Sequence, residues 1–198
     1  VEISQDASLY FSSTDTDYAT GSYVETPFTS SHSISFWFKP KDGQPTAEQR
    51  LVGFKGDNWA QNLAHIALST DGKLSYRYSA NNNANAAQTN SAVFSDGEQE
   101  AHAWTHIVAT ANHSTGGVGG LKLYVNGQEA TLGSSSSTNG STSGITFADW
   151  DGDGSTTMYI GTNNADSTVD AGGWFADVKV FTDVLSDTEI KQLSAHIN

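Results

Sequence analysis

Period-two alternation of apolar and polar residues, repeated in one short run after another, most limits the folds open to this chain. In SISFWFKP, Ile34, Phe36 and Phe38 fall on one side and Ser35, Trp37 and Lys39 on the other. KLSYRYS sets Leu74, Tyr76 and Tyr78 against Ser75 and Arg77, and LKLYVNG sets Leu121, Leu123 and Val125 against Lys122 and Tyr124. Successive side chains of an extended strand point to opposite faces, so each run reads as a strand with one face on a core. RLVGF, AHIALS, THIVATA, TMYIG and WFADVKVF are further strand candidates. Asp71-Gly72 and Asn126-Gly127 punctuate them, and the second dipeptide suits a tight type I′ hairpin. Many short strands joined this way predict an antiparallel sandwich.

One helix is predicted, near the C-terminus. In LSDTEIKQL, Ser186 and Glu189 form a capping box, Leu185 and Ile190 staple the first turn, and Leu193 continues the apolar side. The expected place for it is a sheet edge, as a short lid. The low-complexity stretch GSSSSTNGSTSG, 133–144, reads as a long mobile loop within one domain spanning 1–198.

The composition removes whole classes of function. Lys and Arg number 9 against 22 Asp and Glu, a formal net charge of −13, which argues against nucleic acid and anionic membranes as partners. No apolar run is long enough to span a bilayer, and the start is not signal-like, so the chain reads as soluble. Val1 reads as an artificial boundary or a cut from a longer protein. With no cysteine, stapling must come from the core or from bound ions.

The order of motifs adds a resemblance that covers essentially the whole chain. SHSISFWFKP is followed by LVGFKG, IALSTDGKLSYRY, AWTHIVATA, GLKLYVNGQE, MYIGTN and GGWFADVKVFTDVLSDTEIKQL. This resembles the laminin G-like and pentraxin-like branch of the concanavalin A-like lectin/glucanase superfamily. The resemblance implies an all-β, concanavalin A-like jelly-roll sandwich of two antiparallel sheets with one short C-terminal helix. It further implies a binding module whose ligands sit at the sandwich rim or on the concave sheet, often through calcium.

Two acidic or amide-rich clusters are candidate calcium ligands. FADWDGDGS spaces Asp149, Asp151 and Asp153 two apart before Gly154, the first half of an EF-hand-type loop. The twelfth position is Ile160 rather than Glu, and no flanking helices are predicted, so the reading is a structural calcium loop, not an EF-hand. Three carboxylates so close repel one another unless a cation neutralises them. The second cluster is implied by the resemblance: Asp57 and Asn58, with Asn163, Asn164, Asp166 and Asp170, carry over as ligands of a rim calcium. Gln61-Asn62 offers an alternative alignment for the first pair.

Sugar recognition requires a planar apolar surface for the ring and polar groups for hydroxyl pairs. Trp59 in a polar loop, with Asn62, Asn82, Asn83, Asn163 and Asp166, is the candidate carbohydrate-binding set. Trp150 sits in a similar acidic setting, whereas Trp37, Trp104 and Trp174 lie on strand candidates and read as core. His102 and His106, four apart in an extended segment, are not a metal motif. A glucanase of this superfamily resembles E-x-D-x-E on one strand; Glu98 and Glu100 in GEQEAHAW lack the Asp and the third carboxylate, so no enzyme is expected.

The functional expectation is therefore a calcium-dependent carbohydrate-binding (lectin-like) module of a larger secreted bacterial protein, a cell-surface adhesin, with a glycan or polysaccharide as partner and neighbouring domains of the same chain as further contacts. A calcium-stabilised protein-interaction or spacer domain is the alternative, and a polysaccharide-degrading enzyme the third.

Overall fold

The computed structural model describes residues 8–12, 17–23, 31–56, 62–80, 89–112, 114–115, 120–137, 156–162 and 170–195. Thirteen strands in these segments form two sheets. The six-stranded sheet runs β1 (Leu9–Phe11), β13 (Gly173–Phe181), β3 (His32–Pro40), β8 (Thr105–Ala111), β9 (Leu121–Val125), β10 (Gln128–Glu129). The seven-stranded sheet runs β11 (Leu132–Ser137), β7 (Thr89–Glu98), β6 (Lys73–Ala80), β5 (Asn62–Leu68), β4 (Gln49–Gly56), β12 (Thr156–Ile160), β2 (Ala19–Tyr23). Neighbouring strands pair antiparallel throughout, which is the expected jelly-roll sandwich.

The alternation in the sequence decides what lies between the sheets. Ile34, Phe36 and Phe38 of β3 meet Val52, Phe54, Ile66, Leu68, Leu74 and Tyr76 of the opposite sheet in one buried cluster. Full burial of side chains this large contributes roughly 1.5–3 kcal/mol each. A buried polar link across that layer joins β3 to β6, where Tyr76 OH and His32 Nε2 hydrogen-bond at 2.8 Å. Burial raises the Tyr76 phenol pKa far above its usual value, so the hydroxyl stays protonated.

The Asn126-Gly127 turn between β9 and β10 has φ of +50° and +78°, as the type I′ geometry requires. Asn126 also accepts a bond from the His106 N–H through its Oδ1, at 2.9 Å. The helix α1 (Asp187–Ala195) starts where predicted. The Ser186 N–H donates to Glu189 Oε2 at 2.8 Å, and the Glu189 N–H returns to Ser186 Oγ at 3.4 Å, closing the capping box. The helix lies by the β9–β10 edge of the six-stranded sheet, as expected, with Ser194 and Lys191 against Gly127. Leu185 and Ile190 cover Val108 and Tyr124 on the outer face of β8 and β9, because these two strands carry apolar side chains on both faces.

Two expectations are corrected. The serine-rich run does not begin as a loop: residues to Ser137 belong to β11, paired with β7 from Leu132↔Ser95 to Ser137↔Ser91. An edge strand is held by its backbone groups, so it needs no apolar alternation. Residues 138–144 lie outside the described residues. The tryptophans on strands are not part of the core between the sheets. Trp37 is buried, but on the outer face with Ala176 and Trp104, in the phase opposite to Phe36 and Phe38.

Candidate functional site

The chain has only two arginines, Arg50 and Arg77, and the fold brings both to the outer face of the seven-stranded sheet. A bulge in β4 between Arg50 and Val52 turns Leu51 and Val52 both into the core, leaving Arg50 on the outer side opposite Ala67. β5 lies between β4 and β6 and places His65 opposite Arg77. Glu48, just before β4, bridges the two cations: Arg50 Nη2 lies 2.9 Å from its Oε1, and Arg77 Nη2 donates to its Oε2 at 2.6 Å.

Arg50 Nη1 also donates to His65 Nε2. A guanidinium only donates, so Nε2 accepts, and the single proton of the neutral imidazole sits on Nδ1. Burial, then the Arg50 and Arg77 charges, hold His65 well below the usual histidine pKa and keep it neutral. Burial lowers the Arg50 pKa as well, opposed by Glu48 and reinforced by Arg77. His65 Nδ1, Arg50 Nε and Ser75 Oγ are buried without a hydrogen-bond partner. Ser75 is beside His65 on the same face, opposite Ala67. Such unpartnered groups are uncommon, and here three of them share one patch.

The register extends this patch into a row across the sheet. Tyr159 of β12 pairs with Gly53 of β4, Gly53 with His65 of β5, and His65 with Arg77 of β6. Gly53 carries no side chain, and both it and His65 are buried, so the groups of the row with exposed surface are Tyr159 and Arg77, three strand spacings apart, roughly 14 Å. Tyr159 is half-buried, and its ring centroid lies 6.0 Å from that of the exposed Tyr18. The row thus presents an aromatic ring at one end and a guanidinium at the other, with buried backbone and imidazole between them.

The outer face of the other sheet is also aromatic but differently used. Lys39 Nζ lies 4.5 Å from the Trp174 ring centre and 5.4 Å from that of Trp104, and Tyr10 packs on Trp174 at 4.8 Å. These ring faces already hold a cation and a neighbour.

Most of the residues singled out in the sequence lie outside the described residues: Asp57, Asn58, Trp59, Asn82, Asn83, Asp149, Asp151, Asp153, Asn163, Asn164 and Asp166. Asn62 opens β5 opposite Lys55. Asp170 is buried and bridges by its backbone to Arg50. The anchors of these segments are informative. Gly56, which precedes Asp57, pairs with Thr156, while Gly161 donates to the Leu51 carbonyl at 2.8 Å and Asp170 stands by Arg50. The described residues flanking Asp57-Asn58 and Asn163–Asp166 are therefore at opposite ends of β4, roughly 17 Å apart along the strand. Those flanking Asp57-Asn58 and Asp149–Asp153 share one end. Among the described residues no three His, Asp or Glu side chains gather as a metal site.

His102 and His106 are structural. His102, with φ +61°, donates its N–H to the Pro40 carbonyl at 2.8 Å, and buried His106 hydrogen-bonds Ser35 Oγ through Nε2 at 2.9 Å. Glu98 accepts from Gln44 Nε2 at 2.9 Å and Glu100 is exposed. The arginine–histidine patch has no counterpart among the sequence candidates. Its signal was the placing of both arginines at outward phase in strands, but only the strand order brings them together.

Residues 12–191 match the family model of the concanavalin A-like lectin/glucanases superfamily, Laminin_G_3. The chain belongs to this family. No curated protein matches it. Among solved structures, the CBM40 module of Ruminococcus gnavus IT-sialidase, bound to α2,3-sialyllactose, aligns with TM-score 0.62 and 16% identity over 94% of this chain and 96% of that one. A heptameric SAP-like pentraxin from Limulus polyphemus aligns with TM-score 0.56 and 15% identity, covering 88% of this chain and 75% of the other. Trypanosoma rangeli sialidase, in complex with a difluoro-KDN, aligns with TM-score 0.55 and 20% identity over 84% of this chain, but this covers only 23% of that enzyme. The fold is a concanavalin A-like jelly roll with carbohydrate-binding modules among its structural neighbours.

Proposed function

We propose that the chain is a non-catalytic, lectin-like module that binds a glycan across the outer face of the seven-stranded sheet. The observation that supports this is the row Tyr159–Gly53–His65–Arg77, in which the half-buried Tyr159 and the partly exposed Arg77 flank the buried Gly53 and His65 on the outer face. The structural neighbour bound to sialyllactose supports a sugar as the ligand class. The module works by shape and preorganisation: β-sheet backbone holds Tyr159 and Arg77, so little ordering entropy is lost on binding. A glycan array with the purified chain tests this. Binding to at least one glycan, lost in Tyr159→Ala with an unchanged fold, is the expected result; an array without hits from folded protein would refute it.

Calcium belongs to the proposal as a support for these segments, with Asp149, Asp151 and Asp153 as one set of ligands and Asp57, Asn58, Asn163, Asn164, Asp166 and Asp170 as the other. The net charge of −13 favours a divalent cation near those segments. Melting in calcium and in chelator checks it: a higher midpoint in calcium, abolished by Asp151→Ala for the first group, is the expected outcome. A display role, as an adhesin module of a secreted bacterial protein, follows from the same reading, with a cysteine-free, strongly acidic chain in its support.

A further inference from the structure

We propose that the chain carries a second sugar subsite, for one neutral pyranose unit, in the cleft at the side of the sandwich where β7 ends and β9 turns into β10. The ligand class rests on the glycan reading above; the location does not. The cleft measures about 400 Å³, a size at which small-molecule sites begin. Its floor is apolar: Val125 and Ala130 line it, partly buried and packed against the core.

Two carboxamides stand over that floor. Gln128 pairs with Val125 and takes its inward phase, yet it is exposed, so the sandwich is open at this point. Gln99, just past β7, lines the same cleft and is only 8% exposed. Its N–H donates to the Gly72 carbonyl at 2.8 Å, and its own carbonyl leaves no room for a side chain at Gly43. The backbone of Gln99 is thus held on both sides. Its carboxamide makes no hydrogen bond among the described residues and is not sealed from solvent. A nearly buried polar group without a partner is uncommon, and this one opens on a cleft.

A carboxamide both donates and accepts, as a sugar hydroxyl does. Two of them above an apolar floor match a ring with polar edges and a C–H face. Glu98 and Glu129 also border the cleft; Glu98 accepts from the neutral Gln44, and Glu129 is paired with Lys122. The carboxylate left over turns away an acidic sugar.

Backbone amide shifts of Gln99, Gln128 and Ala130, followed while methyl glycosides are added, test this. The neutral probes are the methyl glycosides of glucose, galactose, mannose and N-acetylglucosamine, and the acidic probe is methyl glucuronide. At least one neutral probe is expected to move these amides, with methyl glucuronide binding there about 10-fold more weakly. Gln128→Ala, at an exposed position, is expected to weaken the neutral probe about 3- to 10-fold with an unchanged melting profile. Gln99→Met, which keeps the side-chain length, is expected to do the same. Shifts at Tyr159 and Arg77 with the cleft silent overturn the second subsite and leave the sheet-face reading standing. Shifts in the cleft with that row silent support the subsite and sink the sheet-face reading. Equal binding of the glucuronide, or no loss in Gln128→Ala and Gln99→Met, overturns the assignment. No shift with any probe, together with an array without hits, defeats both.

Discussion

Arg50 and Arg77 reach the same carboxylate, Glu48, from two strands that β5 separates, each taking a different oxygen. Glu48 thus offsets the repulsion between two guanidinium groups that face one another across the sheet. Glu48→Ala leaves that repulsion unopposed in a partly buried setting. The expected loss is about 1–3 kcal/mol, between the limits for exposed and buried pairs, read by urea denaturation. An equal stability would show that the carboxylate does not organise the patch.

Tyr76→Phe removes a buried polar tie between the sheets while keeping the ring. His32 Nε2 then loses its partner inside the core. A loss of about 1–2 kcal/mol in urea denaturation, with an unchanged denaturant slope, is the expected outcome.

His106 makes stability depend on pH. Burial lowers its pKa from 6.5 to about 4, with Asp177 opposing the shift and Lys179 adding to it. The native state then stays neutral where the unfolded chain takes up a proton, so stability is full above the unfolded value and falls as the pH drops toward the folded one. Between about pH 6.5 and about pH 5 the loss from this group is about 2 kcal/mol. His65 acts in the same direction. Denaturation curves across this range should show a shallower slope for His106→Asn than for the parent; parallel slopes would contradict the assignment.

The elements that were legible in the sequence are those where one face of a strand or helix meets a core. The phase of Ile34, Phe36 and Phe38 was enough to orient β3, and Ser186 with Glu189 was enough to start α1. That same phase already set Trp37 apart from the core, although its size alone suggested burial between the sheets. Strands held by backbone alone left no such trace: the serines of β11 alternate in nothing. The candidate site was harder still. Tyr159, Gly53, His65 and Arg77 come from four strands, and their meeting depends on the order β12-β4-β5-β6, which no local pattern encodes. The sequence signals for calcium came from acidic and amide-rich segments, whose chemistry is legible but whose meeting in space is not.

Backbone amide chemical shifts, followed while the best glycan from the array is titrated in, test the central claim most directly. The account predicts shifts concentrated at Gly53, His65, Arg77 and Tyr159 on the outer face of the seven-stranded sheet. Shifts confined to Trp174, Trp104 and Lys39 on the other sheet, or to the segments around Asp57 and Asn163 with this row silent, would contradict it.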